Sequence, residues 1–164
     1  MELIAVVKRD CPTCVLVEPV LGQLKAGTSL ALYCQDDPAF PESLGGALDD
    51  RMLERSWRLD VEIVPTLVRL EAGREVARAV GWDRAEWERV SGLSGLGPGL
   101  TSFQPGCGSK SVEPGMPERL ALRFGDLHLA ARPIEVADDD DPIEVAMIEN
   151  RPLAIVSAPR SASP

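Results

Sequence analysis

The sequence predicts an α/β protein built on residues 1–92, followed by a Gly/Pro-rich connector and a small acidic extension. Three observations carry that reading. Short apolar runs of strand length alternate with helix-period stretches in the order β-α-β-α-β-β-α. From Ser91 to Pro117 the chain then carries 7 Gly, 4 Pro and 5 Ser, a linker-like mixture. Residues 135–149 hold seven acidic and no basic side chains. The expected divisions are 1–92, a connector 93–117 and a partly ordered extension 118–164.

Each element has its own signal. Leu3-Ile4-Ala5-Val6-Val7 is a continuous apolar run, suited to a buried strand. From Cys14 to Leu24, apolar residues recur at helical spacing (Val17, Val20, Leu21, Leu24), with Pro19 expected to kink the helix. Ser29–Cys34 reads as a second strand and Leu48–Trp57 as a loose helix. Val61–Leu70 and Glu75–Val80 read as a strand pair joined at Glu71-Ala72-Gly73-Arg74. The next helix opens on Asp83 as N-cap, with Glu86 three residues on. Further along, Leu120, Leu122 and Phe124 alternate before Gly125-Asp126, and Leu127 and Leu129 alternate after it, which predicts a hairpin. A short helix is expected from Pro142 to Met147 and a strand over Leu153–Val156. Ser157–Pro164 is expected to be disordered.

Composition excludes several function classes. With 164 residues the chain can bury a core without disulfide staples. Its 17 basic and 26 acidic residues leave a net charge of −9, which repels nucleic-acid phosphates and anionic lipid. No apolar run reaches the 18 or so residues of a membrane span. The first eight residues lack the basic-then-apolar order of a signal peptide. A cytoplasmic location is therefore expected, and in a reducing compartment a close cysteine pair points to catalysis or metal binding.

The pair is Cys11-Pro12-Thr13-Cys14, between the first strand and the first helix. At a helix start, unpaired backbone N–H groups and the helix dipole stabilise a thiolate on the first cysteine. Cys14, one turn on, is placed to attack a mixed disulfide and release its partner. Lys8 and Arg9 add positive charge that Asp10 partly offsets.

Taken with Ile63-Val64-Pro65-Thr66-Leu67, the Gly73 turn and Gly81, the strand-CxxC-helix opening resembles the thioredoxin superfamily over residues 1 to about 92. The resemblance implies a thioredoxin-like fold in which Pro65 is cis and faces the cysteines. It implies that Val64 pairs through its backbone with an extended substrate segment, with Pro12, Thr13 and Trp82 also near the substrate. It implies a thiol-disulfide oxidoreductase in which Cys11 attacks and Cys14 resolves, needing no cofactor beyond its own disulfide. Protein disulfides would be the substrates, and a reductase or low-molecular-weight thiol the electron source. Two positions depart from the family. Its tryptophan before the CxxC is Asp10 here, and its buried acid on the first strand is Ala5, so the usual proton-transfer helper of Cys14 is missing. Cys-Pro-x-Cys without the tryptophan resembles glutaredoxins, as does Gly81-Trp82-Asp83. That variant predicts monothiol activity in Cys14→Ser.

The remaining reactive residues have plainer readings. Zinc at Cys11 and Cys14 would need two more ligands, and the spacing of Cys34, Cys107 and His128 matches no knuckle, so no metal is expected. Cys34 reads as a packing residue. Cys107, between Gly106 and Gly108 and near Lys110, is either an idle exposed thiol or an accessory one. His128 reads as a strand residue and Asp138–Asp141 as a solvated acidic run. Trp82 reads as a surface-loop contact and Trp87 as a core anchor. An alternative function is an adaptor, or a carrier of electrons or sulfur, that serves one enzyme through the extension and Cys107. An extension folded over Cys11 favours that alternative; an open surface favours a general reductant.

Overall fold

The computed structural model describes residues 1–125 together with 147–148 and 151–152. The fold is α/β with a mixed five-stranded sheet. Strand β1 (Glu2–Val7) lies in the centre, and Leu3 to Val7 are all fully buried, as a run with no polar member requires. It runs parallel to β2 (Leu30–Cys34), which runs parallel to the short β3 (Leu48–Asp49). On its other side β1 is antiparallel to β5 (Thr66–Glu71), which forms a hairpin with β6 (Arg74–Val80). The sheet order is β3-β2-β1-β5-β6. Its edge strand β3 is two residues long, and Leu48 is half exposed.

The helix expected over 14–24 is two helices, α1 (Pro12–Leu16) and α2 (Glu18–Gly27). Val17 leaves helical geometry between them (φ −87°, ψ 4°), so Pro19 stands in the first turn of α2, where its missing N–H costs nothing. Val20, Leu21 and Leu24 give α2 its buried stripe. The loose helix expected over 48–57 shrinks to α3 (Glu54–Arg58). Asp50 accepts from the Arg55 and Ser56 N–H groups at 2.8 and 3.0 Å, satisfying first-turn donors of α3 that have no partner within the helix. The capped helix is found as α4 (Arg84–Ser91). Asp83 accepts from the Glu86 N–H at 3.1 Å, and Gly92 closes the helix at φ 74°.

The strand expected over 61–70 divides at Pro65, leaving β4 (Ile63–Val64) outside the main sheet. The Val64–Pro65 peptide is cis. A proline has no N–H to give a ladder, so the pairing partners change there.

The segment after residue 92 is ordered against this core. Strand β7 (Trp82–Asp83) pairs with β8 (Phe103–Gln104), and β4 pairs with β9 (Cys107–Gly108). The hairpin expected from Leu120 is wrong over its described half: α5 (Met116–Phe124) is helical. Leu120 is buried while Leu122 is 90% exposed, whereas a strand would have put both on one face. Residues 93–125 belong to the same unit as 1–92 (Met1–Arg132), and Pro133–Pro164 form a second unit. In the second unit Met147–Ile148 pairs antiparallel with Arg151–Pro152. His128, Asp138–Asp141, most of the helix expected from Pro142, the strand expected over 153–156 and the tail from Ser157 lie outside the described residues.

Candidate active site

Cys11 is the N-cap of α1, with extended backbone (φ −148°, ψ 112°), and Cys14 lies within the helix. The loop before them is set by Asp36, whose carboxylate accepts from the Arg9 N–H at 2.7 Å and the Asp10 N–H at 2.9 Å. Both cysteines are free and buried, Cys11 at 1% exposure and Cys14 at 0%. Across from them stands the cis peptide: the Cys11 thiol donates to the Val64 carbonyl oxygen at 3.6 Å. Pro65 is buried beside it, and its own carbonyl accepts from the Gly81 N–H at 2.8 Å.

The backbone of Val64 already has a partner. Cys107 stands opposite it in the β4–β9 ladder, and Gly108 stands opposite Ile63. The strap from Phe103 to Ser109 is fastened along both cysteine-bearing and cis-proline elements. Thr13 Oγ1 donates to the Pro105 carbonyl at 2.7 Å, Lys8 Nζ to the Gly108 carbonyl at 2.9 Å, and the Ser109 N–H to the Glu62 carbonyl at 2.9 Å. Buried Gln35 donates to Ser109 Oγ at 2.7 Å and accepts from the Lys110 N–H at 3.0 Å. Gly106 is required by closeness: a Cβ there would stand 2.5 Å from the Val64 carbonyl oxygen and 2.4 Å from Ile63 Cγ2. Gly81 faces it, and a Cβ there would stand 2.9 Å from the Gly106 nitrogen.

Cys107 therefore stands opposite Val64, the residue whose carbonyl the Cys11 thiol touches. The side chains of Cys14 and Cys107 both act on the ionisation of Cys11. The Cys14 bond is the largest influence; burial works against it; the Cys107 bond and the N–H groups of Cys14 and Thr13 then bring the Cys11 pKa down to about 5. Burial, then the bond to Cys11, pushes the Cys14 thiol far up. Ala5, fully buried on β1, stands where the resemblance leads one to look for an acid. Cys107 is also raised, chiefly by desolvation and by Cys11, with Lys8 acting in the opposite sense. The sequence reading of Cys107 as an exposed thiol is corrected here: Cys107 is half-buried, its pKa is raised, and the cation that acts on it is Lys8 and not the neighbouring Lys110.

These values predict a thiolate absorbance near 240 nm that titrates with a midpoint near pH 5 and disappears in Cys11→Ser. A midpoint at the ordinary thiol value near 8.5 contradicts the geometry. The folded pKa is depressed, so the stabilisation is complete above the unfolded value and is lost as pH falls through about 5. The wild-type melting temperature is therefore expected to lose, between pH 9 and 5, an increment that Cys11→Ala does not lose.

The structure brings together Cys11, Thr13, Cys14, Val64, Pro65 and Cys107. Pro12 lies beside them, exposed. It does not bring Trp82 to the surface. That ring is fully buried, stacks edge-on with Trp87 at 5.4 Å and donates to the Thr101 carbonyl at 2.7 Å. Strand β8 pairs beside it, and the ring has no exposed face for a substrate to touch in this arrangement. Trp87 is the buried anchor expected, its Nε1 bound to the Gly81 carbonyl at 2.8 Å. Cys34 is buried, 3.1 Å from an Asp36 oxygen. Sequence reasoning missed Gln35, Ser109 and Gly106; the one available signal was the glycine pair around Cys107. Among the described residues no group of three or more His, Cys, Asp and Glu side chains is placed to hold a metal, and no helix is long and apolar enough to cross a membrane. Compared with protein-family models, curated proteins and solved structures, the chain has no match.

Proposed function

We propose that the protein is a thiol-disulfide oxidoreductase of thioredoxin-like fold, with Cys11 and Cys14 as its redox pair. The observation that carries this reading is the acidified Cys11 sulfur, bonded by Cys14 one turn on and facing the Val64 carbonyl of a cis Val-Pro peptide. The strand order, with a central β1 flanked by a parallel β2 and an antiparallel β5–β6 hairpin, supports the fold. In the reducing direction the Cys11 thiolate attacks one sulfur of a protein disulfide. A Cys11–substrate disulfide forms, and the departing thiolate takes a proton. Cys14 then gives up its proton and attacks the Cys11 sulfur, expelling the second substrate thiolate and leaving the Cys11–Cys14 disulfide. The redox-active disulfide itself is the only redox group required. A reductase or a low-molecular-weight thiol returns the two electrons.

The test is a glutathione redox titration with each of the four thiols followed by alkylation and mass spectrometry. The expected result is a reversible Cys11–Cys14 disulfide. A potential near −270 mV supports a thioredoxin-type reductant, and one near −200 to −230 mV supports glutathione coupling. No such disulfide at any poise overturns the reading. One observation favours a second reading: the strap over Cys11 already pairs with Val64, which suits a protein that serves one dedicated enzyme better than a general reductant.

A further inference from the structure

The strap places a third thiol where a substrate cysteine would sit. Cys107 is opposite Val64 in an antiparallel ladder, and Val64 is the residue whose carbonyl the Cys11 thiol touches. Gly106 lets the strap approach to backbone contact, and the Thr13 and Lys8 bonds hold it from either side. Of the three sulfurs, only that of Cys107 belongs to a residue partly open to solvent. An outside disulfide therefore reaches Cys107 before it can reach Cys11.

We propose that Cys107 is a third catalytic thiol, which passes electrons between the Cys11–Cys14 pair and outside disulfides. This rests on the proposed redox role of that pair and replaces direct attack by Cys11 on the outside disulfide with attack through Cys107. Cys107 gives up its proton to solvent and attacks an outside disulfide as the thiolate, forming a Cys107 mixed disulfide and releasing one thiolate, which is protonated. The Cys11 thiolate attacks the Cys107 sulfur; the mixed disulfide breaks, the Cys11–Cys107 bond forms, and the second outside thiolate leaves and is protonated. Cys14 loses its proton and attacks the Cys11 sulfur, so that the Cys11–Cys107 bond breaks and Cys107 leaves as a thiolate that regains a proton. One disulfide has become two thiols, and two protein thiols have become the Cys11–Cys14 disulfide. No other oxidant or reductant enters. The in-chain bond requires the two sulfurs to close to about 2.05 Å.

The experiment uses the full chain and glutathione disulfide as the probe. Cys14→Ser, in which the last step is blocked, is expected to accumulate a Cys11–Cys107 disulfide, identified by non-reducing peptide mapping. Cys14→Ala serves as the second variant. Cys107→Ser keeps a hydroxyl to hydrogen-bond Cys11 but cannot exchange, so oxidation of the Cys11–Cys14 pair is expected to slow by more than about tenfold while the thiolate absorbance of Cys11 stays in place. A glutathione adduct on Cys11 with free Cys107 in both Cys14 variants overturns the relay, as does an unchanged oxidation rate in Cys107→Ser. If wild type forms the Cys11–Cys14 disulfide and only these variants disagree, the relay alone fails. If wild type forms no such disulfide, the redox role of the pair fails with it.

Discussion

Cys11→Ser is expected to abolish reduction of a protein disulfide such as insulin, by more than about a hundredfold, with the fold intact. The sulfur is the atom to which the new bond forms, and a hydroxyl at that position neither ionises near neutral pH nor makes a disulfide. The substitution exchanges one atom, sulfur for oxygen, on the same side chain, and the Val64 carbonyl oxygen is present to accept from the new hydroxyl. Cys14→Ser is expected to behave differently: the first bond still forms and release fails, so a disulfide accumulates while turnover stops. The two variants together separate attack from resolution. Retention of wild-type turnover by Cys11→Ser, measured with its secondary structure unchanged by circular dichroism, removes Cys11 from the chemistry.

Gly106→Ala is expected to uncover the site. The added carbon would meet the Val64 carbonyl oxygen at 2.5 Å and Ile63 Cγ2 at 2.4 Å, and the carbonyl belongs to a backbone held by Pro65 and Gly81. The lighter element moves: the strap leaves β4, taking with it the Pro105 acceptor of Thr13 and the thiol of Cys107. The core around Leu3–Val7 keeps its own burial, so the domain stays folded while a local segment opens. Alkylation of Cys11 by iodoacetamide at a pH where it is already ionised should then accelerate by about tenfold or more. The Cys11 pKa should move up, because one of its hydrogen-bond donors has gone. Gly81→Ala pushes on the same contact from the opposite side, where the Gly106 nitrogen lies at 2.9 Å, and should act in the same direction. Equal alkylation rates in wild type and both variants contradict the strap as the cover of Cys11.

Much of the framework was legible in the chain because its causes are local. Leu3–Val7 has no polar member, so wherever it goes it must be buried on both sides. Asp83 and Glu86 stand at capping distance in sequence, and the observed bond joins the Asp83 carboxylate to the Glu86 N–H. Ala72-Gly73 marks a turn that two apolar runs bracket, and both residues have positive φ. Where the reading failed, a partner distant in sequence decided. Leu120, Leu122 and Phe124 alternate, yet Leu120 is buried and Phe124 partly so while Leu122 is exposed, the i, i+4 face of a helix. Trp82 follows a glycine in what reads as a surface turn, but residues 101–104 arrive to roof it.

For the candidate site the division is the same. The CxxC at a strand-to-helix junction and the Val64-Pro65 step stand in the sequence, because a turn, a first helical position and a missing N–H are properties of a few adjacent residues. Nothing in the sequence pairs Cys107 with Val64. That contact depends on Gly106 and Gly81 having no side chains where two backbones cross, on Gln35 reaching Ser109 and Lys110, and on the carbonyls of Pro105 and Gly108 finding Thr13 and Lys8. Each is a contact between segments far apart in the chain, and a hydrogen-bond partner at such a distance has no periodicity to announce it. The same packing then decides which thiol ionises: donors gathered around Cys11 hold its charge, while the burial of Cys14 keeps the proton there.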